Sequence, residues 1–311
     1  MRIAVIGSGA VGCFYGARLV RAGHDVHFLM RSDYRAVRDG GLIIHSCDGD
    51  FRLESVQCHP RSDDIGPVDL VICSLKTTAL DVAESLIRPC LGPDTRILAM
   101  MNGLGVEERL ADSFDARRVL GGLAFICCNR GEPGHIHHLD YGRVAFGHLL
   151  DDPAEVTRVA AIFDEAGIET HPLDSLKQAR WEKLVWNIPF NSLSVTAGGI
   201  STRRILDDEG LRDLTRALMV ETIEAGNALG CRIDGPPLIA KMFANTETMG
   251  HYRTSMQIDF ERKRPLEVDA ILGEPVRQAH DAGVAVPHTT SQYGLVRFLD
   301  RLNRGEMTRY E

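Results

Sequence analysis

The segment that most restricts the fold is Gly7-Ser8-Gly9-Ala10-Val11-Gly12, which follows the apolar run Arg2–Ile6 and opens a helical pattern over Ala10–Ala22. Three glycines at this spacing have separate tasks: the first permits a tight turn, the second lets a pyrophosphate approach the backbone, and the third lets helix and strand lie close. The helix N-terminus then offers its N–H groups and its dipole to the phosphates. A second strand, Asp25–Met30, stands where a βαβ unit requires it, so the motif has its structural context. Gly7, Ser8, Gly9, Ala10, Val11 and Gly12 are therefore the candidate residues for a dinucleotide cofactor.

The rhythm continues. Apolar runs at Asp69–Leu75 and Arg96–Met101 alternate with helix-like stretches at Thr77–Pro89 and Val106–Phe114. This predicts an α/β, Rossmann-type doubly wound sheet. Gly41–Ser46 and Phe51–Gln57 read as a hairpin around Asp48-Gly49, while Val119–Cys128, Ile136–His138 and Val144–Phe146 extend the sheet. Ala154–Ala166 adds a helix. Beyond His171-Pro172 strand patterns give way to long amphipathic ones, Ser175–Thr196, Asp208–Leu229 and Pro265–Ala282. The 311 residues thus divide into a dinucleotide-binding domain over 1–171 and an all-α domain over 172–311, each long enough for its own core.

Net charge of −8 argues against a general nucleic-acid or anionic-membrane partner, though not against one basic pocket. No apolar run is long enough to span a bilayer, and Met1–Gly7 enters a strand directly, unlike a signal peptide. The eight cysteines are scattered without a CxxC pair, which reads as reduced thiols and a cytoplasmic protein. His135, His137 and His138 fit a strand edge, with no cysteine or carboxylate arranged around them, so no metal is expected. A homodimer through helical faces is compatible with the sequence, and no residue pattern specifies it.

The end of the second strand discriminates between nicotinamide cofactors. An acidic residue there accepts from a ribose 2′-hydroxyl, whereas this chain has Met30-Arg31-Ser32. A guanidinium at Arg31 suits the 2′-phosphate of NADP; Asp33, close by, leaves NAD open. Two further strand ends carry polar residues. Lys76 is placed for the adenosine phosphate or the substrate, and Asn102 for the nicotinamide or the substrate. In the second half Lys183, Asn187 and Asn191 recur at i, i+4 and i+8, on one stripe of a helix. Their neighbours are strongly apolar, so these polar groups need partners. Pro189 within the stripe is expected to kink the helix.

With the Ser74-Leu75-Lys76 and Asn102–Gly105 strand ends, Pro133–Ile136, Ser255–Asp259 and Arg264–Asp269, the chain resembles the ketopantoate reductase (2-dehydropantoate 2-reductase) family over essentially its whole length. The resemblance implies hydride transfer from NADPH to the ketone of ketopantoate, giving pantoate for pantothenate and coenzyme A synthesis, and the site is expected in the cleft between the two domains. By that pattern Lys183 matches the general acid, and Glu267 the carboxylate that binds the substrate hydroxyl and helps position the lysine. Ser255 and Asn102 match substrate contacts, Asn187 and Asn191 the polar lining, and Arg31 and Lys76 cofactor contacts. A lysine desolvated by neighbouring tryptophans gives up its proton more easily. Two places depart from the pattern: Tyr252 and Gly198-Gly199-Ile200-Ser201 stand where some members carry asparagines. These departures raise an alternative, an NAD(P)-dependent reductase of a different 2-oxo acid. A third reading, a non-catalytic NADP-binding sensor, leaves Lys183 and Glu267 without purpose.

Overall fold

A computed structural model describes residues 1–308. Its contacts group into two compact units, Met1–Met101 with Val106–Leu176, and Asn102–Gly105 with the described residues from Lys177 onward.

In the first unit β1 (Arg2–Ile6), α1 (Ala10–Arg21) and β2 (Asp25–Leu29) form the βαβ unit read from the glycine motif. There follow α2 (Tyr34–Gly40), β3 (Leu42–Ser46), β4 (Phe51–Leu53), β5 (Gln57–His59) and β6 (Val68–Cys73). The unit continues through α3 (Ala83–Ile87), β7 (Leu91–Ala99), α4 (Val106–Ser113), β8 (Val119–Arg130), β9 (His135–His148), α5 (Pro153–Glu165) and β10 (Thr170–Pro172). All strands join one sheet in the order β4-β3-β9-β8-β7-β6-β1-β2-β5, with β10 on β9. Central β1 pairs in parallel with β2 on one side and β6 on the other. The chain therefore reverses its direction across the sheet at β1, and ligands gather beyond strand ends at such a point. Residues Ile3–Ile6 are buried throughout, as a strand covered on both faces must be.

The expected strand over Phe51–Gln57 is in fact two strands on opposite edges, separated by only Glu54–Val56. That short link reaches about 14 Å at most. A flat sheet with nine strands on its path would hold its edges roughly 38 Å apart at ~4.8 Å per strand. The sheet therefore curls until its edges approach.

Other expectations change locally. Ile136–His138 and Val144–Phe146 belong to one strand, β9, antiparallel to β8; the polar stretch between them is absorbed by irregular register and by positive φ at Tyr141 and Gly142. Thr77–Pro89 is only partly α-helical, because Ala79 leaves helical geometry and the flanking turns are 3-10. 

The second unit contains α6 (Leu176–Thr196, entered at its second residue), α7 (Thr202–Asp207), α8 (Glu209–Ala228), α9 (Gly235–Thr248), α10 (Ser255–Glu261), α11 (Glu274–Asp281) and α12 (Pro287–Asn303). The helix expected from Pro265 begins three residues later, since the Leu266 N–H donates to the Asp300 carboxylate instead (2.9 Å). Its first turns, Asp269–Gly273, are π-helical. Helix α12 lacks a local capping side chain. Its first N–H groups, at His288 and Thr289, donate to the Glu221 carboxylate from α8 (2.9 and 2.8 Å). A cap supplied by tertiary structure leaves no mark in the flanking sequence.

Candidate active site

The glycine loop is fixed from three sides. Ser8 Oγ donates to the Leu29 carbonyl at the end of β2, Ser74 Oγ donates to the Gly7 carbonyl, and the Ser74 N–H donates to the Ile6 carbonyl (each 2.8 Å). Gly7 sits at φ +102°, and a Cβ there would lie 2.5 Å from the Leu75 nitrogen. A Cβ on Gly12 would meet Ser74 Oγ at 2.3 Å and the Gly7 carbonyl at 2.5 Å, so helix and strand approach as closely as the motif requires. Gly9 differs: no heavy atom lies within 4 Å of its Cβ position. Helix α1 has no side-chain cap and no acidic residue in its first turn. Ala10, Val11 and Gly12 therefore present first-turn N–H groups with no acidic side chain of their own turn beside them. These residues fit a dinucleotide pyrophosphate.

At the end of β2 Arg31 is exposed. Asp33, which left NAD open in the sequence, is engaged within the protein. It is 8% exposed, forms an ion pair with Arg130 of β8, and accepts from Ser32 Oγ (3.0 Å). Arg130 also donates to Ser32 Oγ (3.0 Å). Arg130 stands 97 positions from Asp33, and no local motif in the sequence marks such a partner. Lys76 is exposed just beyond β6.

Asn102 follows β7 and is half-buried. Its loop belongs by contact to the helical unit. The Leu104 N–H donates to the Ala270 carbonyl (2.9 Å), and a Cβ on Gly103, at φ +90°, would lie 2.4 Å from that oxygen. The loop therefore docks on the π-helical turn that begins two residues after Glu267. π turns are frequent at functional sites.

Helix α6 runs through Pro189 without interruption, although proline removes one of its hydrogen bonds. Along the predicted stripe Lys183 is half-buried while Asn187 and Asn191 are buried. The side-chain amide oxygen of Asn191, Oδ1, has no hydrogen-bond partner among the described residues, in a residue only 3% exposed. An acceptor left so is costly unless something donates to it. Burial, helped by the Arg180 guanidinium and opposed by the Glu267 carboxylate, brings the Lys183 ammonium down from its ordinary range to about 7. Glu267 is itself buried. Ser255, exposed, is the first residue of α10. The preceding Thr254 caps that helix and bonds Ser194 Oγ of α6 (2.9 Å), which ties the start of α10 to the end of the stripe.

The two departures from the family pattern are neighbours in space. The Thr202 N–H donates to the Tyr252 carbonyl (3.0 Å), Ser201 Oγ bonds His251 Nδ1 (3.2 Å), and Gln257 Nε2 donates to the Gly199 carbonyl (2.9 Å). The Tyr252 ring lies 6.3 Å from that of Trp186 on α6.

Cys13, Cys73 and Cys128 are pushed up to about 12 by burial, which makes them poor nucleophiles. One expectation is corrected: His138 does have a thiol and a carboxylate beside it, because the β3 turn brings Cys47 and Asp48 to β9.

The family model described as "Ketopantoate reductase PanE/ApbA" matches residues 3–151, and its C-terminal companion matches residues 175–300. A 2-dehydropantoate 2-reductase of Nostoc is 40% identical, over 99% of this chain and 98% of its own length. Two crystal structures of 2-dehydropantoate 2-reductases are closely similar. That from Geobacter metallireducens is 44% identical with a TM-score of 0.94, covering 96% of this chain and 99% of the other. That from Methylococcus capsulatus is 35% identical with a TM-score of 0.90, covering 100% and 99%.

Proposed function

The chain belongs to the ketopantoate reductase family, and from that premise we propose that it reduces 2-dehydropantoate to pantoate with NADPH, a step of pantothenate synthesis. The observation that carries this reading is Lys183, an ammonium held near neutrality by burial on a stripe with two buried asparagines. The nicotinamide, when bound, supplies the hydride. Negative charge then collects on the ketone oxygen, and Lys183 Nζ neutralises it and delivers a proton. Glu267 acts on Lys183 in the opposite sense to burial, keeping part of the population protonated, and receives the substrate hydroxyl. Asn187 and Asn191 line the substrate; Asn191 Oδ1, unpartnered among the described residues, suits a hydroxyl donor. Ser255 and Asn102 complete the substrate contacts. Gly7 to Gly12 hold the pyrophosphate, while Arg31 and Lys76 hold the adenosine phosphate.

Because Arg130 neutralises Asp33, the end of β2 presents Arg31 without a competing free carboxylate. Arg31→Ala is expected to raise KM for NADPH by about 10–100-fold, the worth of charge-assisted hydrogen bonds of roughly 1.5–3 kcal/mol, with KM for NADH little changed. Arg130→Ala should shift preference the same way, by releasing Asp33. Equal losses for both cofactors would remove the phosphate-reading role.

The reading is tested by NADPH oxidation with purified protein against ketopantoate and a panel of 2-oxo acids. Turnover of ketopantoate supports it; turnover of another 2-oxo acid alone would keep the chemistry and replace the substrate. The adjacency of Tyr252 to Gly198–Ser201 favours that second reading over any other, since both changes fall on one patch. Binding of NADPH without turnover of any acid would favour a sensor.

A further inference from the structure

The structure assigns a second, separate site: Cys47, Asp48 and His138 form a three-ligand seat for a divalent transition metal of the zinc class. It lies where the turn after β3 folds back on β9, within the first unit.

The geometry starts with His138, whose side chain is buried. Its Nε2 is 2.8 Å from the Tyr141 carbonyl. A carbonyl only accepts, so Nε2 carries the proton and Nδ1 is left as a lone pair. Metal-binding histidines are held in this way, the far N–H donating to a carbonyl or carboxylate that fixes tautomer and ring orientation. Tyr141 is at φ +62°, an uncommon conformation for a non-glycine residue.

The lone pair faces the right atoms. Nδ1 is 3.7 Å from Cys47 Sγ and 3.8 Å from Asp48 Oδ2, and Sγ is 3.9 Å from Asp48 Oδ1. Tetrahedral zinc, with bonds of about 2.3 Å to sulfur and about 2.0–2.1 Å to nitrogen or oxygen, separates its ligands by roughly 3.3–3.6 Å. With one ligand atom taken from each residue, the three lie within 4.8 Å of one another, wider than the bound spacing. Asp48 and Cys47 are exposed, so their side chains can contract onto an ion. Ser46 Oγ, 2.8 Å from Nδ1, occupies the place the metal would take at the lone pair, and would turn aside. A fourth position remains for water. Arg18 Nη1, 3.9 Å from Asp48 Oδ2, is an opposing charge; its other guanidinium nitrogens are bonded to the Ala166 and Gly167 carbonyls.

A sulfur–nitrogen–oxygen set selects Zn(II) and Co(II) over magnesium or calcium, which take oxygen ligands. Burial, Asp48 and Asp140 raise the Cys47 thiol above its ordinary range, so the ion must displace its proton to solvent on binding. None of these residues belongs to the reductase machinery, and the bound ion would fasten the β3 turn to β9.

The test is titration of the purified full chain with Co(II), read by absorption. The expected result is a thiolate-to-cobalt charge-transfer band together with tetrahedral ligand-field bands, reversed by added Zn(II). Cys47→Ser should abolish the charge-transfer band, and Asp48→Asn should weaken affinity by ~10-fold or more, at least the loss expected for an outer-shell change. Both positions are exposed, so folding and reductase turnover should be unchanged in either variant. Charge transfer that survives Cys47→Ser would place the metal elsewhere and overturn the assignment. Absence of any tetrahedral spectrum in the unaltered chain would do the same.

Discussion

Lys183→Ala is expected to lower kcat for reduction by about 10²–10⁴-fold, the usual worth of a positioned general acid, while cofactor binding persists. Lys183 is half-buried on α6 and its ammonium stands at about 7. Only the protonated form serves as acid, so kcat/KM for reduction should fall as pH rises above about 7, approaching tenfold per unit. Glu267 raises the lysine against burial and Arg180. Its removal in Glu267→Gln should therefore move the descending limb to lower pH as well as reducing turnover. Stopped-flow NADPH oxidation across pH 5.5–9 with the three proteins reads both effects. A profile whose descending limb is identical in Glu267→Gln and the unaltered enzyme would separate that carboxylate from the lysine. Ordinary turnover in Lys183→Ala would end the proposed role outright.

The second large effect is structural. Trp181 is 0% exposed, in one cluster with Leu184, Val185, Ile188, Leu218, Met219 and Ile223. Helix α8 passes it at Gly226, whose Cβ position is 3.2 Å from the indole. Trp181→Ala is expected to cost about 3–5 kcal/mol, the range for emptying a large aromatic site. The lower half of that range is favoured, because the indole nitrogen is buried without a partner and its loss relieves about 1 kcal/mol or more. Denaturant unfolding followed by Trp186 fluorescence reads the change as a lower midpoint. A loss below ~1 kcal/mol would show that α6 is not anchored by this residue. Retained Lys183 chemistry in the folded fraction would show that Trp181 holds the stripe without taking part in the reaction.

Much of this molecule was legible residue by residue. The glycine loop specified β1, α1 and β2, since turn, close approach and dipole are local consequences of six consecutive residues. The i, i+4, i+8 spacing specified the face of α6, since side-chain direction in a helix follows from position alone. Helix α12 was not legible, because its cap comes from Glu221 on another helix. The division of Phe51–Gln57 was not legible either, because strand propensity does not say which edge a strand joins.

The sequence by itself determined the kinds of group present: a dinucleotide loop, an arginine at the β2 end, and a lysine with two asparagines on one helical stripe. Tertiary structure decided their state. Pairing with Arg130 silenced Asp33, burial brought Lys183 to about 7, and the turn after β3 carried Cys47 and Asp48 to His138. The physical reason is common to all three. A protonation state or a ligand set depends on what lies within a few ångströms in space; for Asp33 and His138 those neighbours are 97 and 91 positions distant along the chain, near enough only once folded.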